Sequence, residues 1–197
     1  MLKVHLRKMN IDIKDIINDH ILTSNNLLDL SDLIEEICSL SLKTIQNGNT
    51  ILLCGNGGSA SDSIHISSEL VGKFEKNRKA ISSISLSSNI SNITAIANDF
   101  GFEHIFSRQI EAIGKKGDLL IAISTSGNSQ NILNAINYAK LNGLTVVAMT
   151  GADGGKINEI DCITLKVPNS NVARIQEMHI LVGHIISKYI EENINSL

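Results

Sequence analysis

From residue 50 onwards, short apolar runs alternate with longer segments of helical periodicity, and this alternation constrains the fold most. The apolar runs cover residues 51–54, 81–86, 119–124, 145–150 and 162–167. The helical segments cover residues 60–74, 90–98, 102–115, 130–142 and 172–193. Continuous apolar runs, without polar alternation, predict strands that are buried on both faces. Alternating strands and helices then predict an α/β fold with right-handed crossovers and a parallel sheet.

The first 47 residues contain neither glycine nor proline, and we predict that they are helical. An amphipathic pattern extends from Leu30 to Ile45, with Asp29 or Ser31 as the expected N-cap and Gly48 as the residue that ends the helix. Residues 1–20 form a weaker second helical candidate. Because this arm precedes every strand, we expect it to contact another subunit. We expect a single domain over residues 1–197, with the arm at 1–47 and the sheet core at 48–197.

The composition excludes several classes of protein. The net charge is −3, aromatic residues make up 3% of the chain, and tryptophan is absent, which argues against a nucleic-acid binder. No apolar run approaches the length of a membrane span, and the first ten residues are too charged for a signal peptide. The three cysteines have no metal-binding spacing and indicate buried thiols in a reducing cytoplasm.

Two loops rich in glycine and serine follow the first and third predicted strands. The first loop covers residues 55–61 (GNGGSAS) and the second covers residues 124–129 (STSGNS). Glycines, free N–H groups at a helix start and hydroxyl groups together favour a bound anion, although such turns also serve simply as helix caps. Neither loop matches a P-loop or a dinucleotide fingerprint. No Lys or Arg lies between Leu119 and Asn131, so the pattern indicates a monophosphate held by neutral donors.

Histidine and carboxylate spacing points to a metal or proton-transfer site. His65 and Glu69 are four residues apart on one helix, which places both on one face, although an ordinary surface pair has the same spacing. His184 lies close to the apolar side of the last helix, where a structural core histidine is the alternative. Gln176 precedes it by eight residues, roughly 12 Å of helix. One metal could lie between them, the helix could be distorted, or one ligand could come from a neighbouring subunit.

At these residues the chain resembles the phosphoheptose isomerases of the sugar-isomerase (SIS) domain superfamily. The second loop alone is typical of the superfamily, whereas its combination with the residues of the candidate metal site is far more specific. The histidines that the resemblance does not use, His20, His104 and His179, are expected at the surface. The matching stretches are residues 54–74 (CGNGGSASDSIHISSELVGKF), 97–108 (ANDFGFEHIFSR), 123–129 (ISTSGNS), 150–156 (TGADGGK) and 174–184 (RIQEMHILVGH).

The resemblance implies a three-layer, doubly wound, flavodoxin-like sheet of five parallel strands, assembled as a cytoplasmic homotetramer with active sites between subunits. It implies one Zn²⁺ per subunit, held by His65, Glu69, Gln176 and His184. Some members of the family have an acidic residue where this chain has Ala173, so a substrate contact from that position is not carried over. The implied substrate contacts are Asn56, Gly57, Gly58, Ser59, Glu69, Asn98, Asp99, Ser124, Thr125, Ser126, Ser129 and Gln176.

The resemblance also implies the reaction: D-sedoheptulose 7-phosphate becomes D-glycero-D-manno-heptose 7-phosphate through a cis-enediol. This is the first step of heptose synthesis for a surface polysaccharide, either lipopolysaccharide or capsule. Glu69 is the candidate base at the carbons, and His184 is the candidate acid and base at the oxygens. One alternative is a non-catalytic SIS-domain protein of the replication-initiator-associating type, which has no need of the metal set. Another is a different sugar-phosphate isomerase or etherase of the superfamily.

Overall fold

The computed structural model describes residues 11–194, which form one parallel sheet covered by helices on both faces. The strand order is β2-β1-β3-β4-β5, and every neighbouring pair is parallel. The strands are β1 (Ile51–Gly55), β2 (Ser83–Ser85), β3 (Leu119–Ile123), β4 (Thr145–Gly151) and β5 (Ile163–Val167). The helices are α1 (Ile13–Asn26), α2 (Ser31–Gln46), α3 (Gly58–Val71), α4 (Ile90–Phe100), α5 (Ser107–Ile113), α6 (Gln130–Leu141) and α7 (Val172–Asn193).

The sheet lies between two apolar cores. Leu53 of β1 packs in one core with side chains from α2, α3 and α7, whereas Leu52 packs in the other with side chains from α5 and α6. Every residue of β1 and β3 is buried, which explains the continuous apolar runs in the sequence. The predicted α/β fold, with its five-stranded doubly wound sheet, is therefore confirmed.

The helical arm consists of α1 and α2, and both pack against α7. Gly48 follows the end of α2 with a φ of +77°, so its predicted role in ending the helix is confirmed. The predicted N-cap at Asp29 or Ser31 is wrong. A 3-10 turn over Leu27–Leu30 leads directly into α2, so Leu30 occupies the cap position without a side-chain bond. The helix expected at 1–20 begins at Ile13, and residues 1–10 lie outside the described part of the chain.

Several predicted boundaries differ from the structure. The helix expected over 102–115 is divided into a 3-10 turn over Phe102–His104 and the short helix α5. Helix α3 ends at Val71 because Gly72 leaves the helical conformation, three residues before the predicted end. Cys38 and Cys54 are buried, and burial raises the pKa of both thiols, whereas Cys162 is half-buried. Among residues 11–194, no helix is both long and apolar enough to cross a membrane.

Candidate active site

The carboxyl ends of β1 and β3 place the two Gly/Ser-rich loops side by side. These strands are neighbours, and the order of the sheet reverses between them. The side-chain amide of Asn56, in the first loop, donates to Asn131 at 2.8 Å and accepts the reverse bond at 2.9 Å. In doubly wound sheets, ligands bind at such a reversal point. The two loops that the sequence singled out therefore flank the place where a ligand is expected.

The second loop lines a cavity of about 250 Å³. Thr125, Ser126 and Asn128 form one side of it, and the turn after β4 together with the start of α7 forms the other. Ser124 is buried, and its hydroxyl donates to the Ser129 hydroxyl at 3.2 Å. Among the described residues that line this cavity, none is a lysine or an arginine. Apart from the carboxylate of Asp153, the polar groups that an anion would meet in this cavity are therefore neutral hydroxyls and amides.

A third loop, residues 150–156, packs against the second loop backbone to backbone. The carbonyl oxygen of Thr125 accepts the N–H of Gly151 at 2.9 Å. A Cβ atom on Gly127 would lie 2.0 Å from the carbonyl oxygen of Gly154, so no larger residue fits. Gly127 and Gly154 both have positive φ, at +64° and +66°. The third loop thereby fixes the conformation of the second.

His65, Glu69 and His184 meet between α3 and α7. His65 Nε2 lies 3.0 Å from Glu69 Oε1, and the ring of His184 stands edge-on to that of His65 with 5.0 Å between centroids. One donor atom from each residue lies within 4.8 Å of the other two. The helices approach closely because Gly183 has no side chain, since a Cβ there would lie 2.4 Å from Ile66. The predicted pairing of His65 with Glu69 is confirmed, and His184 joins it.

Asp62 lies one turn before His65 on α3 and was missed in the sequence. Its Oδ2 is buried and has no hydrogen-bond partner among the described residues. Burial raises the pKa of this carboxyl to about 6, and the nearby His65 opposes the rise. The three-residue spacing to His65 was the available signal, since such residues share a helix face. A carboxyl that titrates near neutrality thus lies beside the triad.

The SIS domain family model matches residues 22–151. The phosphoheptose isomerase of Aneurinibacillus thermoaerophilus is 46% identical over 187 residues, which cover 91% of this chain and 94% of that protein. The phosphoheptose isomerase of Aliarcobacter butzleri is 47% identical over 162 residues, covering 82% and 86%.

This chain belongs to the phosphoheptose isomerase family. The solved phosphoheptose isomerase of Neisseria gonorrhoeae superposes on it with a TM-score of 0.86 at 38% identity, over 91% of this chain and 97% of that one. The role of each site residue is argued below from its own surroundings.

Gln176 lies eight residues before His184 on α7, about 12 Å of helix. A Cβ atom on Gly58 would lie 2.4 Å from Gln176 Nε2, so the amide rests against the start of α3, seven residues before His65. Helix α7 is continuous from Val172 to Asn193, which removes the distorted helix as an explanation. Ile175, next to Gln176, lines the second-loop cavity. Nine residues of helix, about 13 Å, separate Ile175 from His184.

The other predicted substrate contacts are dispersed. Ser59 is buried in the first turn of α3, and Gly57, with a φ of +57°, occupies the N-cap position before it. Asn98 and Asp99 lie exposed in the last turn of α4, where the Asn98 amide donates to the Asp99 carboxylate at 2.7 Å. Among the described residues, neither side chain hydrogen-bonds to either glycine-rich loop.

The histidines outside the triad have three different environments. His20 is exposed and pairs with Glu177 at 2.7 Å. His104 is half-buried in a 3-10 turn. The prediction that His179 is a surface residue is wrong, because it is fully buried and its Nε2 lies 3.2 Å from the carbonyl oxygen of Thr150. Desolvation lowers the pKa of His179 to about 4, so it is neutral in the folded protein at pH 7.

Proposed function

We propose that this chain converts D-sedoheptulose 7-phosphate to D-glycero-D-manno-heptose 7-phosphate through a cis-enediol. The observation that carries the proposal is the meeting of His65, Glu69 and His184 between α3 and α7. Relatives that are 46–47% identical are phosphoheptose isomerases. The triad offers groups for proton transfer, and the cavity of the second loop offers neutral donors for an anion. A phosphosugar isomerase needs both.

The phosphate is assigned to the second loop. Its hydroxyls and backbone N–H groups precede α6, whose N-terminus favours negative charge. The third loop holds this arrangement rigidly, so little ordering is left to occur on binding. We assign substrate contacts to Asn56, Gly57, Gly58, Ser59, Glu69, Asn98, Asp99, Ser124, Thr125, Ser126, Ser129 and Gln176.

The triad fits a zinc ion. Two imidazoles and a carboxylate are the donor types that zinc takes. We assign His65, Glu69 and His184 to the metal, with Gln176 as a fourth contact and one ion per chain. When bound, zinc supplies a Lewis acid that polarises a carbonyl and stabilises negative charge on the adjacent oxygens.

Proton transfer is assigned to Glu69 and His184. Isomerisation moves a proton between C1 and C2 of the sugar, which needs a base over the carbons and an acid or base at the oxygens. Glu69 is only one-fifth exposed, so its carboxylate faces little competing water. His184 is half-buried against Phe74, with 5.6 Å between the ring centroids, and an imidazole can act as a general acid and a general base. Glu69 is both metal contact and base in this assignment.

The complete site requires two subunits. In one chain, the cavity of the second loop and the triad are separated by about 13 Å along α7. The amide of Gln176 lies at the cavity end of that span. We therefore propose that the triad of one subunit faces the cavity and Gln176 of another within a homotetramer. Each subunit is a single domain, with the arm up to residue 47 forming contacts between subunits.

A non-catalytic SIS-domain protein is the second candidate function. A protein that only binds a sugar phosphate needs the second loop. Binding alone does not explain why donor atoms of two imidazoles and a carboxylate lie within 4.8 Å of one another. The triad therefore favours the enzyme. In this proposal the heptose phosphate product feeds synthesis of a surface polysaccharide.

Incubation of the purified protein with D-sedoheptulose 7-phosphate tests the proposal. We expect the aldose signal of the product to grow in the NMR spectrum, activity to disappear on chelation, and zinc to restore it. Retention of full activity by zinc-free protein would contradict the metal assignment. Tight binding of the ketose phosphate without any product would instead support the non-catalytic candidate.

A further inference from the structure

A buried ion pair joins the segment after α3 to the last turns of α7. Arg78 Nε donates to Glu191 Oε2 at 3.0 Å, and each side chain is only 2% exposed. Replacing such a pair by apolar residues is often neutral for stability, because desolvation offsets the attraction between the charges. The pair is therefore better explained by the orientation that its hydrogen bonds impose.

Glu191 holds the segment that follows α3. Its carboxylate accepts three consecutive backbone N–H groups, from Phe74 at 3.1 Å, Glu75 at 2.7 Å and Lys76 at 2.8 Å. With the bond from Arg78, four donors converge on one carboxylate. Since charge-assisted bonds are the strong ones, this segment has little freedom to move. Phe74, which the carboxylate fixes, is the residue whose ring packs against His184.

Arg78 holds the end of α3. Its guanidinium donates from Nη2 to the carbonyl oxygen of Glu69 at 2.7 Å and from Nη1 to that of Leu70 at 2.8 Å. Carbonyls in the last turn of a helix have no partner within the helix, and a positive charge there is favourable. Glu69 is therefore fixed through its own backbone by an arginine that does not touch its carboxylate.

The ion pair thus connects both helices that carry the triad. Glu191 follows His184 by seven residues, two turns of helix, and so lies on the same face of α7. Arg78 contacts the turn of α3 that contains Glu69. The two helices are in close contact at Ile66 and Gly183. The ion pair therefore fixes the relative position of two helices that already lie close together.

We propose that Arg78 and Glu191 are positioning residues of the active site, which keep the Glu69 backbone and the Phe74 ring at fixed distances from His184. This inference rests on the proposed function, because it assumes that Glu69 and His184 act in the reaction. Its consequence is that the metal affinity and the turnover depend on two residues that contact neither metal nor substrate. Supporting residues of this kind typically change either quantity by roughly 10–100-fold.

The test compares Arg78→Lys and Glu191→Gln with Lys188→Met. Lys188 pairs with Glu75 at 3.0 Å, so the control breaks an exposed ion pair between the same segment and the same helix. Zinc affinity is measured by competition with a chelator, and kcat and KM are measured with D-sedoheptulose 7-phosphate well below each variant's Tm. We expect the zinc affinity or kcat to fall roughly 10–100-fold in both test variants, with KM nearly unchanged, and no such fall in the control.

Wild-type zinc affinity and kcat in a test variant with a lowered Tm would overturn the proposal, since the pair would then serve stability alone. If one test variant fails to fold, the other decides. A wild-type protein that binds zinc but does not isomerise would refute the proposed function, and the affinity comparison would still decide the ion pair's role. A wild-type protein that does neither would overturn both.

Discussion

His179 lies wholly inside the protein, with its imidazole under the carbonyl of Thr150 at the end of β4. A carbonyl accepts, so Nε2 carries the proton, while the other ring nitrogen is buried without a partner among the described residues. A second proton would have to be buried without any compensating bond. His179 is therefore a buried group whose protonation at low pH destabilises the folded protein.

Protonation of His179 should make the protein less stable in acid. Its pKa is about 4 when folded against 6.5 when free, so the unfolded chain binds more protons between these values. Stability is full above pH 6.5 and is lost as the pH falls towards 4, by up to about 3 kcal/mol from this residue. Urea unfolding of wild type and His179→Gln at several pH values measures the difference. Parallel curves would contradict the buried neutral imidazole.

Which residues form the candidate site could be predicted only in part from the sequence. The pair of His65 and Glu69 could be found because helical spacing alone puts four-apart residues on one face. His184 could be placed only near an apolar face, and its meeting with the pair depends on Gly183, which lets α7 approach α3. The burial of His179 was missed, although it lies four residues after buried Ile175 and three before buried Val182, on the same face of α7.

The second and third loops at the carboxyl edge of the sheet pack together as one unit. The glycine contact between the second and third loops leaves no room for a side chain, and both glycines have a backbone conformation that other residues rarely adopt. The shape of the second-loop cavity therefore depends on the third loop, which lines the side of the cavity opposite Thr125, Ser126 and Asn128.

Gly127→Ala should weaken substrate binding. The new Cβ would lie 2.0 Å from a backbone carbonyl that cannot move aside, so the second loop must shift. We expect KM for the phosphosugar to rise at least roughly tenfold, the equivalent of about one lost hydrogen bond to a charged group. Steady-state kinetics measure this.

Gly48→Ala is the matched control for that variant. Gly48 has a similar φ of +77°, but nothing lies within 4 Å of its hypothetical Cβ. Both variants should lose about 1–2 kcal/mol of stability from backbone strain, and only Gly127→Ala should change KM. An unchanged KM in Gly127→Ala would place the phosphate elsewhere.

The elements themselves could be predicted from hydrophobic period and glycine position, whereas their exact ends could not. Apolar runs predicted all five strands; every residue of β1 and β3 is buried, whereas the edge strands β2 and β5 each contain an exposed residue. The division of the segment at 102–115 leaves no comparable mark, since Ile105 and Phe106 continue the apolar pattern through the break. Packing of that break against the second core, rather than local preference, sets its geometry.

In the single chain, an apolar stripe on α1 is exposed to solvent. Ile13, Ile16, Ile17 and Ile21 recur at helical spacing, and each is between 45% and 69% exposed. An apolar stripe that faces outward is typical of a surface between subunits. The sequence could predict the stripe and its position before the first strand, and in the proposed assembly another subunit covers it.

The assembly should behave as four chains of 21.3 kDa in sedimentation or light-scattering experiments. Ile17→Glu should shift the mass towards smaller species and lower the activity with it, because the proposed site needs two subunits. Leu141→Glu is the control, since Leu141 is 86% exposed at the end of α6, away from the arm. A fully active wild-type monomer would contradict the shared site.

The central claim is that Glu69 is the base that moves the proton between C1 and C2 of the sugar. The turnover of Glu69→Gln tests this claim most directly. The amide keeps the size of the side chain but cannot accept a proton from carbon. General acid–base catalysis contributes roughly 10²–10⁴ to a rate. We therefore predict that kcat for D-sedoheptulose 7-phosphate falls by at least that range, in a variant whose fold, zinc content and phosphate binding are intact. A kcat near that of the wild type would contradict the account.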